Sequence, residues 1–228
     1  MTISTAANTV TEQLTEAGRA IEHDSFAIID AEAGPHAYTA EQWPLVRRMI
    51  HANADFEFNG LTAFHPDAMQ AGMNAVLKGG TPIVADVEMI CVGLSKPRLA
   101  HFGLTTHHYI SDADVIEAAK AANSTRAVQA MRKAHRLGQL DGAIVGIGNA
   151  PTALIELVRL IREEGVRPAL VIGMPVGFVS AAESKDLLMT VNEVPWVAIK
   201  GRKGGSTLVV AAIHAMLSLA EAEQKKAA

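Results

Sequence analysis

The run Arg47-Arg48-Met49-Ile50-His51 places an imidazole three residues from one guanidinium and four from another. On a helix the ring therefore shares a side with positive charge. That charge disfavours the imidazolium, and a carboxylate-rich ligand arriving beside it would reverse the preference. His51 read this way is a proton donor armed by its substrate; the alternative is a helix-end histidine interacting with last-turn carbonyls. His107 and His108 form the other histidine cluster. Adjacent residues of a strand point to opposite faces, so the two cannot jointly chelate an ion. No His, Asp or Glu spacing resembles a zinc or iron site, and neither a metal nor a cofactor is expected.

Three further segments carry candidate chemistry. Gly146-Ile147-Gly148-Asn149-Ala150-Pro151 imitates a dinucleotide fingerprint but ends in Pro151. A proline at the first helical position removes an N–H that would otherwise face a phosphate. A tight strand-to-helix turn is the simpler reading, and a third is that backbone donors and Asn149 approach some other acidic ligand. Gly201-Arg202-Lys203-Gly204-Gly205-Ser206-Thr207 sets two cations and flexible amides before a helix. This is either an anion cradle or a solvated turn. Glu183-Ser184-Lys185-Asp186 reads as an exposed helical turn, unless the Lys185 head group points back to the preceding loop.

The chain that must position these groups has 228 residues, 49% of them hydrophobic and 19% charged, with a formal net charge of −4. Its mean hydropathy is +0.18. This describes one well-packed domain, 1–228, with loose termini expected at about 1–15 and 221–228. Two Trp, two Tyr and six Phe are too few for the stacking platforms that hold single-stranded nucleic acid, and the mild acidity offers no steering of polyanions. An anionic ligand must therefore meet a local basic cluster. The single cysteine, Cys91, excludes disulfide frameworks and multi-cysteine metal sites; its apolar surroundings suggest a buried, inert thiol. No membrane span or signal peptide is expected, and the location expected is cytoplasmic.

Helix and strand signals alternate. Thr39 and Gln42 make a capping box for an amphipathic helix to about 52, with Trp43, Val46, Met49 and Ile50 inward. Helices are also expected at 66–78, after Asp112, after Thr125, at 151–164, at 179–189 and at 205–220, with strands at 82–86, 105–110, 142–147, 169–172 and 196–200. Short apolar strands separated by helices imply an α/β fold: a single-domain, doubly wound, mostly parallel sheet flanked by helices in three Rossmann-like layers. Ligands of such sheets gather at the strands' carboxyl ends, which points to the loops after Asp86, at Gly148 and Asn149, at 173–177 and at 201–206.

Five stretches in order resemble the precorrin-8X methylmutase family of cobalamin biosynthesis: Ser25-Phe-Ala-Ile-Ile-Asp30, Arg48-Met-Ile-His51, Gly148-Asn-Ala-Pro-Thr-Ala-Leu154, the long run Gly173 to Asp186, and Gly201-Arg-Lys-Gly-Gly-Ser206. The resemblance covers 25–217. It implies a cofactor-free isomerase that moves a methyl group from C-11 to C-12 of a tetrapyrrole, giving hydrogenobyrinate, or cobyrinate when cobalt is present. It also implies His51 as the acid, a pocket lined by Ser25, Arg48, Arg126, Gly148, Asn149, Gly177 and Arg202, and a homodimer with sites near the subunit interface. The run from Ala52 to Phe58 looks like the cobalt-dependent branch. The competing readings are a non-catalytic corrinoid-binding carrier and a nucleotide-dependent enzyme built on Gly146 to Pro151.

Overall fold

The computed structural model describes residues 15–227. Its strands are β1 (Thr62–Phe64), β2 (Pro82–Ala85), β3 (Thr105–His107), β4 (Ile144–Ile147), β5 (Leu170–Gly173) and β6 (Trp196–Ile199). They form one sheet in the order β1-β6-β5-β4-β2-β3. Only β1 is antiparallel to its neighbour. The chain leaves β2 toward β3 at one edge and leaves β4 toward β5 and β6 on the other side. The switch point, where crevices open in such sheets, therefore lies between β2 and β4.

The helices are α1 (Glu16–Glu32), α2 (Trp43–Asn53), the short turn α3 (Phe58–Leu61), α4 (Ala68–Lys78), α5 (Glu88–Gly93), α6 (Lys96–His101), α7 (Ala113–Ala121), α8 (Arg126–Arg136), α9 (Pro151–Glu163), α10 (Ala181–Met189) and α11 (Ser206–Ala227). Alternate strand residues feed two cores. Ile83, Ile144, Leu170, Ile172, Val197 and Ile199 pack with α2, α4 and α11 on one face. Val84, Val145, Ile147, Val171 and Ala198 pack with α8, α9 and α10 on the other. Both faces being covered is why the strands read as unbroken apolar runs.

Local signals set the boundaries. Gln42 and Thr39 exchange backbone and side-chain hydrogen bonds at 3.1 and 3.2 Å, the reciprocal box that starts α2. Pro151 opens α9, and the Thr125 hydroxyl accepts from Val128 N–H to cap α8. Gly79, at φ 71°, ends α4 in a conformation that side chains disfavour.

Some features differ from the sequence expectations. The helix α1, the edge strand β1 and the short helices α5 and α6 were not anticipated. Their apolar periodicity is weak or their length too short to register. The segment expected to be loose at 221–228 is helical through Ala227, and its first residue, Glu221, accepts from buried Arg98 at 2.9 Å. The expected loose segment at 1–14 lies outside the described residues, while Thr15 caps α1 through a 3.0 Å bond from Gly18 N–H. Finally, α11 is long and apolar enough by length and composition to cross a membrane, although no such stretch was expected. Most of it is buried against α2, α4 and α5, as the central helix of one core.

Candidate active site

His51 occupies the last turn of α2, and Ser25 lies mid-way along α1, which packs on α2. The Ser25 Oγ to His51 Nδ1 distance is 2.7 Å. This bond fixes the ring plane and leaves Nε2 on the far side for another partner. The Phe26 ring meets the imidazole edge-on at 5.3 Å and lies under the guanidinium of Arg47, 4.5 Å from its centroid. His51 thus bonds to the Ser25 hydroxyl, which replaces the last-turn carbonyls considered from sequence.

His51 borders two cavities. A groove of about 470 Å³ is walled by Ile21, Ser25, Ile28, Ile50, Ala54 and Phe56. A smaller recess of about 130 Å³ is bounded by Glu22, Arg48, Thr207 and His214. Arg48 donates to Glu22 at 2.8 Å with little exposure on either side chain, so its charge is held at the recess rather than free in solvent. Buried His214 accepts from Ser95 N–H at 3.1 Å through Nε2, which places its ring proton on Nδ1.

The turn after β4 is arranged differently. Its three donors, the N–H groups of Gly148, Asn149 and Ala150, all point at the Asp86 carboxylate, at 3.0, 2.9 and 2.7 Å. Asp86 is fully buried at the switch point. Burial pushes its carboxyl upward, and the three N–H groups work against that. Of the readings considered, the tight strand-to-helix turn is the one seen: the anion at the start of α9 is the chain's own Asp86. A Cβ on Gly148 would lie 2.7 Å from Ser206 Cα, so this glycine permits close packing of two loops. Asn149 keeps an exposed side chain at the opening.

The loops after β5 and β6 are joined to each other. Gly177, at φ 149°, donates to the Arg202 carbonyl at 3.2 Å, and Gly205 donates to the Met174 carbonyl at 2.9 Å. A Cβ on Gly204 would collide with the Met174 and Pro175 carbonyl oxygens. Of the two expected cations, Lys203 is paired with Asp55 and Glu57, at 2.5 and 3.0 Å. Arg202 stays exposed, its guanidinium 5.6 Å from the centre of the Phe178 ring, which is 84% exposed. The run Glu183 to Asp186 is not an exposed turn: buried Lys185 points across to the loop after β6 rather than to the loop that precedes its helix, donating to the Lys203 carbonyl at 2.6 Å. Desolvation lowers its pKa to about 8.

The structure therefore brings Ser25, Arg48 and His51 together on the α2 side, and joins Gly177 to Arg202. Arg126 lies exposed at the start of α8, on the opposite side of the sheet, beside the Thr125–Thr152 contact of 2.9 Å at the start of α9. Cys91 is half-buried rather than buried, its thiol pushed up by desolvation. Among the described residues no cluster could hold a metal ion. Sequence reasoning missed Asp86 as the partner of the turn, and Asp55 and Glu57 as the partners of Lys203. A carboxylate ending a buried strand was the available signal for the first.

A family model for precorrin-8X methylmutase matches residues 20–219. The chain belongs to the precorrin-8X methylmutase family. It is 52% identical over 212 residues to a cobalt-precorrin-8 methylmutase of Leptospira interrogans, covering 91% of this chain and 96% of that one. A cobalt-precorrin-8 methylmutase of Priestia megaterium is also 52% identical, covering 91% of each chain. A crystal structure of precorrin-8X methylmutase from Thermus thermophilus superposes with a TM-score of 0.83 at 50% identity, covering 90% of this chain and 99% of that chain. The chain is accordingly an isomerase of cobalamin biosynthesis, an intramolecular methyl transferase.

Proposed function

We propose that the enzyme moves the methyl group from C-11 to C-12 of cobalt-precorrin-8, giving cobyrinate, with His51 as the acid. The observation that carries this reading is the Ser25-oriented imidazole at the mouth of an apolar groove. His51 donates its proton to the conjugated ring system, C-12 accepts the methyl with its bonding pair as the C-11 bond breaks, and the proton then returns to the imidazole, so the net atom and electron count is unchanged. Such a step asks for shape, exclusion of water and one well-placed acid. The cobalt-bearing form is favoured because both relatives at 52% identity are named for it, whereas those from Sinorhizobium and Pseudomonas aeruginosa, at 38% and 39%, are named for precorrin-8X.

In this reading Ser25 orients the acid and Arg48 sets the charge beside it. The exposed guanidiniums of Arg126 and Arg202 pair with peripheral carboxylates of the substrate, where bidentate geometry is strong. Gly177 allows backbone to approach the ligand, and Gly148, by letting its turn pack against the 205–206 loop, sets Asn149 to supply a side-chain amide at the opening. We also propose a cytoplasmic homodimer. Ile21, Ile28, Phe178 and Val179 are 70, 56, 84 and 83% exposed, which favours a partner surface over solvent.

The test is a visible-spectrum turnover assay of purified protein with the tetrapyrrole and no added cofactor. Conversion is expected, and His51→Ala is expected to bind the substrate without converting it. Binding without turnover by the wild-type chain would instead favour the corrinoid carrier. Faster turnover of the metal-free substrate would overturn the cobalt assignment.

A further inference from the structure

Lys203 was a candidate substrate cation, yet its ammonium group is committed elsewhere. It contacts two carboxylates, Asp55 and Glu57, and both belong to the segment that follows the helix bearing His51. That segment starts at Ala54, whose left-handed φ of 49° ends α2, and Ala54 and Phe56 form one wall of the His51 groove. The pairing pulls the Asp55 carboxyl below its usual range, chiefly through the hydrogen bond from Lys203. Behind Lys203 the backbone has no freedom. Its carbonyl takes the Lys185 ammonium, a Cβ on its neighbour Gly204 would strike two carbonyl oxygens, and Gly205 is bonded to Met174. A second link, Thr207 Oγ1 to Asn53 Oδ1 at 3.3 Å, runs between the same two segments. A rigid loop at the sheet's carboxyl edge thus grips the end of the catalytic helix through one long side chain.

We propose that Lys203 is a positioning residue for His51, acting through Asp55 and Glu57, with Lys185 holding its backbone in register. The proposal rests on His51 being the acid for its kinetic consequence, but its geometric content stands apart from that. Removing the Lys203 ammonium frees the 54–57 wall and the last turn of α2, and the imidazole loses its fixed relation to Ser25. The substrate's carboxylates are untouched by the change, so turnover falls while substrate affinity holds.

The experiment uses the full chain as wild type, Lys203→Met, Lys203→Arg, Asp55→Asn, the Lys203→Met/Asp55→Asn double variant and His51→Ala. Nitrogen NMR of the His51 ring in substrate-free protein reports the tautomer and its exchange. One fixed tautomer is expected in the wild type and averaging in Lys203→Met and Asp55→Asn. In turnover, Lys203→Met should lose on the order of tenfold to a hundredfold in kcat with KM within about threefold, the scale set by a small misplacement of a reacting group. Asp55→Asn should move kcat the same way, the double variant should be no worse than the worse single one, and Lys203→Arg should recover most of the loss. Should Lys203→Met fail to fold, Asp55→Asn and Lys203→Arg carry the same comparison. An unchanged His51 spectrum in the variants overturns the proposal. So does a raised KM at constant kcat in Lys203→Met with Asp55→Asn silent, which would make Lys203 a substrate contact. Wild-type turnover by His51→Ala would instead remove the acid assignment, while the NMR arm still decides whether Lys203 holds His51.

Discussion

Two places on the carboxyl side of the molecule carry polar groups at the end of a regular element, and they differ in what those groups face. In the turn from β4 into α9, three amide donors converge on one point and that point is filled by Asp86. At the end of α2, the His51 ring is oriented on one nitrogen by Ser25 and borders a groove of about 470 Å³. The first has the motif of a ligand site and no capacity left; the second has no named motif and keeps its capacity. A donor array is a binding site only where its acceptor comes from outside the chain. This is also the physical objection to a nucleotide-dependent enzyme: a phosphate at the start of α9 would have to displace a buried carboxylate from three hydrogen bonds.

The sharpest way to break this contrast is to empty the closed turn. Asp86→Ala leaves three N–H groups facing an apolar gap and should cost about 3–5 kcal/mol of stability, read by urea unfolding. A loss below about 1 kcal/mol would mean that water or a ligand normally satisfies the turn. Lys185, the other internally satisfied charge, gives a pH test. Its folded pKa is lowered to about 8 from the usual 10.5, so between these values the unfolded chain holds a proton that the folded protein has released. Stability therefore rises with pH through that window, by about 3 kcal/mol relative to Lys185→Met, and the full penalty is present below pH 8. A flat difference between the two proteins from pH 8 to 10.5 would show Lys185 to be better hydrated than its burial implies. Gly148→Ala forces the Gly205 and Ser206 backbone away from the turn and should cost about 1–3 kcal/mol in thermal unfolding. On the open side, Ser25→Ala removes the hydroxyl that orients the imidazole and should lower kcat about tenfold with little change in unfolding. Equal loss of stability and activity in that variant would mean that Ser25 serves packing instead.

Much of this architecture was written in local patterns. Thr39 and Gln42 marked the start of α2, and the apolar runs at β4, β5 and β6 marked strands covered on both faces. His51 with Arg48 was legible for the same reason, since both lie within four residues on one helix. What depended on distant partners was not. Asp86 reaches the 148–150 turn across more than sixty residues, and Lys203 reaches Asp55 across 148. Neither bond leaves a periodic trace. The loop 201–206 therefore read as either an anion cradle or a solvated turn, although one of its two cations is already neutralised. The same lack of periodicity hid α1, whose exposed Ile21 and Ile28 interrupt the alternation of polar and apolar faces by which a surface helix is recognised. The extension of α11 beyond Ala220 was equally invisible in the local pattern, since Glu221 finds its partner Arg98 across more than a hundred residues.

The central claim is that the open imidazole, and not the closed glycine turn, does the chemistry. Its most direct test is the rate of tetrapyrrole conversion by His51→Ala, followed in the visible spectrum beside substrate affinity measured on the same preparation. The account predicts a fall in kcat of about a hundredfold to ten-thousandfold, the range for losing a general acid, with affinity retained. Wild-type turnover by this variant would contradict it.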